Sequence, residues 1–186
     1  MKLWNTPAKE LQEFTPTDIN NVKIYTCGPT VYSHAHIGNY TSYIYWDTLI
    51  RLIRLNGWKE HRVLNITDVG HLTSDGDTGA DKLETGAKRE GKSVWDVAKY
   101  YTDDFLKNFQ ALNLIQPTKI AKATDYIKQS IELINILTEK GFTYQNADGI
   151  YYDTSKFPAY ADFAHLDLDN LKAGARVEFN KEKRNI

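Results

Sequence analysis

A single cysteine, Cys27, stands in a chain of 186 residues. No internal disulfide is available, which fits a reducing compartment. Charge of one sign is also missing: 23 Lys and Arg against 24 Asp and Glu leave a formal net charge of −1. Composition therefore carries no nucleic-acid footprint, and any such contact must be local or lie outside these residues. Long apolar runs are absent, because Asp47, Arg51 and Arg54 interrupt the longest. That is too soon for a membrane span. The opening residues, MKLWNTPAKELQEF, lack the apolar stretch of a secretory signal. The expectation is a cytoplasmic protein with no membrane contact. GxGxxG does not occur, so the Rossmann dinucleotide fingerprint is excluded. There is no repeat and no low-complexity tract.

What is present is an ordinary globular composition, 41% hydrophobic and 25% charged, with 12% aromatics. This length can bury one sizeable core, one domain plus a lobe. Residues 22–28, VKIYTCG, are β-branched and aromatic and stop at Gly28 and Pro29, a strand ending in a turn. After Asn39, apolar residues at 46, 49, 50 and 53 have helical spacing, with Asn56 and Gly57 as the stop. HRVLNI at 61–66 reads as a short buried strand. Ser93 with Asp96 suggests a capping box ahead of a helix whose apolar face runs 94, 97, 98, 101, 105, 109 and 112. A further helix is expected from about Thr124 to Gly141, and GIYYDTS at 149–155 reads as a strand. This order predicts an α/β fold with a parallel sheet and packed helices. It supplies three strands where a doubly wound sheet usually has about five or six.

Candidate chemistry gathers at VKIYTCGPTVYSHAHIGNY, residues 22–40. Open α/β sheets bind ligands beyond the carboxyl ends of their strands, and a following helix N-terminus offers N–H groups to phosphate. By spacing alone this corner reads as a plain strand-to-helix connection with surface histidines, and Cys27 as a core residue. The functional readings are a Cys27 nucleophile beside His34 or His36, or a metal ligand. Thr67 and Asp68, ending the second strand, would face the same crevice or form a turn that caps the next element. The stretch from Asp75 to Asp81 invites a calcium-loop alignment. The frame puts Gly79 and Gly86 where ligands belong, so a solvated acidic loop is the reading.

Taken together, TCGPTVYSHAHIGN, LNITDV, LNL at 112–114, AGARV at 173–177 and KEKRN at 181–185 resemble the cysteinyl-tRNA synthetases, class I aminoacyl-tRNA synthetases. The motifs stand in that family's order from WNT near the start to the last residues. The resemblance implies the first half of a Rossmann-like catalytic domain over 1–120, then a helix and the start of its connecting insertion over 121–186. It implies ATP, with magnesium, L-cysteine and tRNA(Cys) as substrates and partners. The family's signature falls on His36, Ile37, Gly38 and Asn39, so these residues would bind ATP, with His36 and Asn39 catalytic. Asn39 stands where the signature has its second histidine; an amide still donates a hydrogen bond. His34 lies outside the signature, as a supporting residue. Cys27, Gly28, Thr30 and Thr67 would hold cysteine, Cys27 as the first ligand of a zinc ion whose other ligands lie further along the family's sequence. A soft metal selects a thiolate over an alkoxide, which pocket shape does poorly. The Gly- and Asp-rich stretch after Asp68 is an insertion relative to the family's NITDxDDKI. The expectation is an amino-terminal segment that does not complete the reaction alone. Two alternatives accompany it: a ligase joining cysteine to an aminosugar in mycothiol synthesis, and a non-catalytic nucleotide- or partner-binding module.

Overall fold

A computed structural model describes residues 1–70, 87–88, 91–147 and 149–165. The acidic loop at 75–81, His71, and the family motifs at 173–177 and 181–185 lie outside the described residues. The chain divides into two units, one of Pro16–Thr73 and Ala80–Ile127, the other of Met1–Thr15, Ser74–Gly79 and Lys128–Ile186.

The first unit is built on a three-stranded parallel sheet. Strand β3 (Val22–Thr26) pairs with β4 (Glu60–Ile66), which pairs with β5 (Lys119–Lys122). Parallel neighbours need a crossover. Helix α1 (Ile37–Leu55) makes the first one and α2 (Val94–Ala111) lies in the second. The apolar face read for α2 is the buried one, with Val97, Ala98, Tyr101, Phe105 and Phe109 all inside. Its two predicted end members differ: Val94 is half-buried against the core and Leu112 is exposed. On α1 the buried stripe is Tyr40, Tyr43, Asp47, Ile50 and Ile53, rotated from the sequence reading so that Trp46 faces out. The reason is Asp47. Its carboxylate accepts the Ile115 N–H at 2.7 Å and the Arg51 Nε at 2.6 Å, tying α1 to the segment after α2. A buried carboxylate is tolerated because those partners satisfy it.

Between α1, α2 and β4 the core is aromatic. Phe105 stacks with Tyr40 at 5.9 Å between centroids and meets Tyr43 edge-on at 5.1 Å. Arg62, on β4, is buried among them with Nε donating to Thr26 Oγ1 at 3.1 Å and the guanidinium 5.7 Å over Phe109.

The second unit holds two antiparallel hairpins. Strand β1 (Lys2–Asn5) pairs with β2 (Glu10–Glu13), and β6 (Thr143–Gln145) with β7 (Ile150–Tyr152). Helix α3 (Ile127–Glu139) precedes the latter pair, and a short α4 (Tyr160–Ala164) follows it. Sequence reading put 149–155 in the parallel sheet. The third strand of that sheet is instead β5, four residues of mixed polarity that carry no strong strand signal. Helix α3 starts at Ile127, because Ala123–Tyr126 form a 3-10 turn first. Asp68 explains this turn: its carboxylate accepts both the N–H and the hydroxyl of Thr124, at 3.0 and 2.6 Å.

Candidate functional site

The carboxyl ends of β3 and β4 lie side by side, and the chain after β3 runs on as a short bridge: Val31 N–H donates to the Thr67 carbonyl, and Thr67 N–H to the Pro29 carbonyl. This brings Cys27, Gly28, Thr30 and Thr67 to one edge. Gly28 is pressed hardest. Its N–H donates to Asn65 Oδ1 at 2.7 Å, and a Cβ built on it would sit 1.6 Å from the Asn65 carbonyl oxygen. Any side chain there would overlap backbone, so glycine is a requirement of the strand spacing and not only a turn signal.

Cys27 is exposed, its Sγ 3.7 Å from the Gly28 carbonyl. Its reading as a core residue is corrected: strand alternation buries Thr26 and turns the next side chain outward. Thr67 stays at this edge, where its hydroxyl accepts from Asn65 Nδ2 at 3.3 Å. Asp68 has turned away to cap the 3-10 turn after β5, the structural one of the two roles the sequence left open.

Past the bridge, residues 30–36 reach α1, whose N-cap is His36. The His36 Nδ1 accepts the Gly38 N–H at 3.1 Å, and Asn39 Oδ1 accepts the His36 N–H at 3.0 Å. The two side chains thus satisfy donors that an uncapped helix leaves open. Gly38 makes this possible, since a Cβ there would lie 3.0 Å from the His36 ring. With Nδ1 accepting, the hydrogen of a neutral His36 ring sits on Nε2. Ile37 is 86% exposed. The helix starts at Ile37, ahead of the stretch after Asn39 that apolar periodicity marks, and that start is what turns His36 and Asn39 into a cap.

Gly28, Thr30, His36 and Asn39 line a cavity of about 310 Å³ with Tyr43 and Phe105. Cys27, Ile37, Gly38 and Thr67 are not part of its lining. Burial pushes the Tyr43 hydroxyl up to about 12, with the neighbouring Cys27 and Tyr40 adding to it, so this wall of the cavity stays neutral. The aromatic wall escaped sequence reading as a site, because Tyr43 and Phe105 look like any core residues on a helical stripe. His34 also lines the cavity, paired with Asp104 of α2. Seventy residues separate the two, and nothing local in the sequence announces the contact.

Among the described residues no group of three or more His, Cys, Asp or Glu is placed to hold a metal ion. Cys27 by itself is one sulfur, so the described residues do not fit a zinc site and no step is derived through zinc.

A family model described as tRNA synthetases class I (C) catalytic domain matches residues 13–186. A cysteine–tRNA ligase of Treponema denticola is 44% identical over 185 residues, covering 100% of this chain and 38% of the relative. Cysteine–tRNA ligase 1 of Burkholderia lata is 45% identical over 177 residues, covering 95% of this chain and again 38% of the relative. The chain thus spans well under half the length of these curated relatives. Among solved structures, the Mycobacterium tuberculosis methionyl-tRNA synthetase in complex with methionyl-adenylate superposes with a TM-score of 0.57 at 20% identity, over 67% of this chain and 23% of that one. At that identity the likeness speaks to the fold, a Rossmann-like catalytic domain.

Proposed function

The chain belongs to the family of class I (C) tRNA synthetase catalytic domains, and from that premise we propose that it is the amino-terminal part of a cysteine–tRNA ligase. The reaction has two steps. The carboxylate of L-cysteine attacks the α-phosphate of ATP, giving cysteinyl-adenylate and releasing pyrophosphate, and a hydroxyl of tRNA(Cys) then takes the cysteinyl group, releasing AMP. Residues 1–120 supply the first half of the nucleotide fold, and 121–186 a helix and the beginning of the connecting insertion.

The observation that carries this reading is the placement of an exposed thiol and a capped helix N-terminus on one strand-to-helix connection. His36 would direct its Nε2–H at phosphate, where preorganised donors stabilise charge developing in the transition state. The cap keeps that ring in one tautomer and one orientation. Gly38 N–H is already donated to His36, so Gly38 serves the nucleotide by letting the ring close over it, with the α1 dipole adding to the attraction. Asn39 acts on the nucleotide through His36, whose N–H it accepts, besides whatever its amide donates. Gly28, Thr30 and Thr67 form the polar edge for cysteine, and Cys27 would contribute a first zinc ligand. ATP would enter with magnesium. Localisation in the cytoplasm accords with the solitary cysteine; among the described residues no helix is long and apolar enough to cross a membrane.

Pyrophosphate exchange tests the proposal. The chain alone is expected to give no cysteine-dependent exchange, because one thiol does not build the metal-centred cysteine site. Joined to the remaining length of the Treponema denticola relative, it is expected to exchange with cysteine and to charge tRNA(Cys). Clear exchange by the chain alone would overturn the incompleteness. Cysteine transfer to an aminosugar instead of tRNA would favour the mycothiol-type ligase, and nucleotide binding without exchange in the joined protein would favour a non-catalytic module.

A further inference from the structure

We propose that His34, held by Asp104, is a second imidazole contact for the polyphosphate of ATP, an inference that rests on the nucleotide site proposed above. His34 and His36 line the same cavity, separated by one residue. Two residues of chain hold their Cα atoms within about 7 Å, close enough to serve neighbouring phosphates of one nucleotide.

The two rings share a feature. Each has Nδ1 committed to the protein, and among the described residues neither Nε2 has a hydrogen-bond partner. In His36, Nδ1 accepts the Gly38 N–H. In His34, Nδ1 lies 2.9 Å from Asp104 Oδ2. Asp104 also accepts Asn108 Nδ2 at 3.3 Å, so the carboxylate is itself held in place. Helix α2 grips the ring from two further sides: Tyr101 meets it edge-on at 5.0 Å and Tyr100 at 5.9 Å. The charged and titratable groups on that side are Asp104, these two phenols, and Lys92, whose Nζ stands 5.0 Å over the Tyr100 ring.

An imidazole that donates Nδ1–H to a carboxylate can donate from Nε2 as well when it carries both protons. A phosphate oxygen then completes a line of anion, imidazolium and anion, with two charge-assisted hydrogen bonds. Asp104 is a positioning residue in this scheme and His34 the group that touches the nucleotide. The competing role for the pair is mechanical, a strap fastening residues 30–36 to α2. A strap would hold the loop equally well for any ligand, whereas a phosphate contact discriminates between ATP and adenosine.

Calorimetric titration of the chain with Mg-ATP and with adenosine separates these, using wild type, His34→Ala, Asp104→Asn and His36→Asn, which keeps an N-cap side chain. Expected is a roughly tenfold loss of ATP affinity in His34→Ala with adenosine unchanged, and an intermediate loss in Asp104→Asn. In ¹⁵N spectra, the Nε2 resonance of His34 should shift when ATP is added and stay in place when adenosine is. His34→Gln, which can still donate to Asp104, should keep the fold and lose ATP affinity as well. ATP affinity within twofold of wild type in His34→Ala, or an equal loss for adenosine, overturns the inference. If His36→Asn loses ATP while His34→Ala does not, the nucleotide reading stands and this inference alone falls. No ATP binding by wild type removes both.

Discussion

At Gly28 a single hydrogen in place of a side chain lets β3 end against β4. The 1.6 Å approach of a hypothetical Cβ to the Asn65 carbonyl leaves no room that rotamer changes could create, because the obstacle is backbone. Gly28→Ala must therefore push the strands apart at the edge where Cys27 and Thr30 are displayed. The expected cost is about 3 kcal/mol. A urea midpoint for the variant equal to wild type would show that the strands are not so closely spaced. Residue identity alone could not give this reason. A glycine after a strand always permits a turn, but the close contact depends on Asn65, 37 positions away.

Elements are held at their ends by pairs the sequence only half reveals. The Ser93 cap was legible, and the side chain accepts the Asp96 N–H as that spacing predicts. The His36 and Asn39 cap was not, since histidine is an uncommon N-cap and its ring fits only over a glycine. At the other end of α1, Arg54 is paired with Glu60, the first residue of β4, with Nε donating to Oε1 at 2.9 Å. The Arg54 hydrogen bond holds the Glu60 carboxyl below its ordinary value, outweighing the desolvation that would raise it. A carboxyl that binds protons less tightly when folded contributes stability above its unfolded pKa. That contribution disappears as pH falls through the lowered folded value. Glu60→Gln should accordingly lower stability near pH 7 by about 0.5–1 kcal/mol, discounted because Arg54 is half exposed. Below pH 4 the difference should shrink. Chemical denaturation at both pH values measures this, and an undiminished gap in acid would mean the pair is not the cause.

At the scale of the whole molecule, apolar burial is unevenly shared. Val22, Ile50, Leu64, Ile66, Val97 and Phe105 all lie in the parallel-sheet unit, and among the described residues of the other unit Tyr144 is the buried hydrophobic. Amide protection follows buried, hydrogen-bonded structure. Hydrogen exchange should leave β4 and the inner faces of α1 and α2 protected longest, with β6 and β7 exchanging far sooner. Equal protection of β6 and β4 amides would contradict the uneven core. The same division accounts for what was misjudged in the topology. GIYYDTS has the composition of a sheet strand, but its partner, Thr143–Gln145, is close in sequence and forms a hairpin with it, while the strand that completes the parallel sheet is short and half polar.

By itself the sequence determined the α/β class, two of the three parallel strands, the buried face of α2 and the family to which the corner at 22–40 points. Those features rest on local periodicity and on motifs read in order, which need no knowledge of contacts. Only the tertiary structure decided that Cys27 faces outward, that Asp47 and Asp68 are anchors inside the fold, and that His34 finds Asp104. The contacts of Asp47, Asp68 and His34 each join residues dozens of positions apart. Which polar groups meet is set by how strands and helices pack, and a one-dimensional pattern does not carry that information.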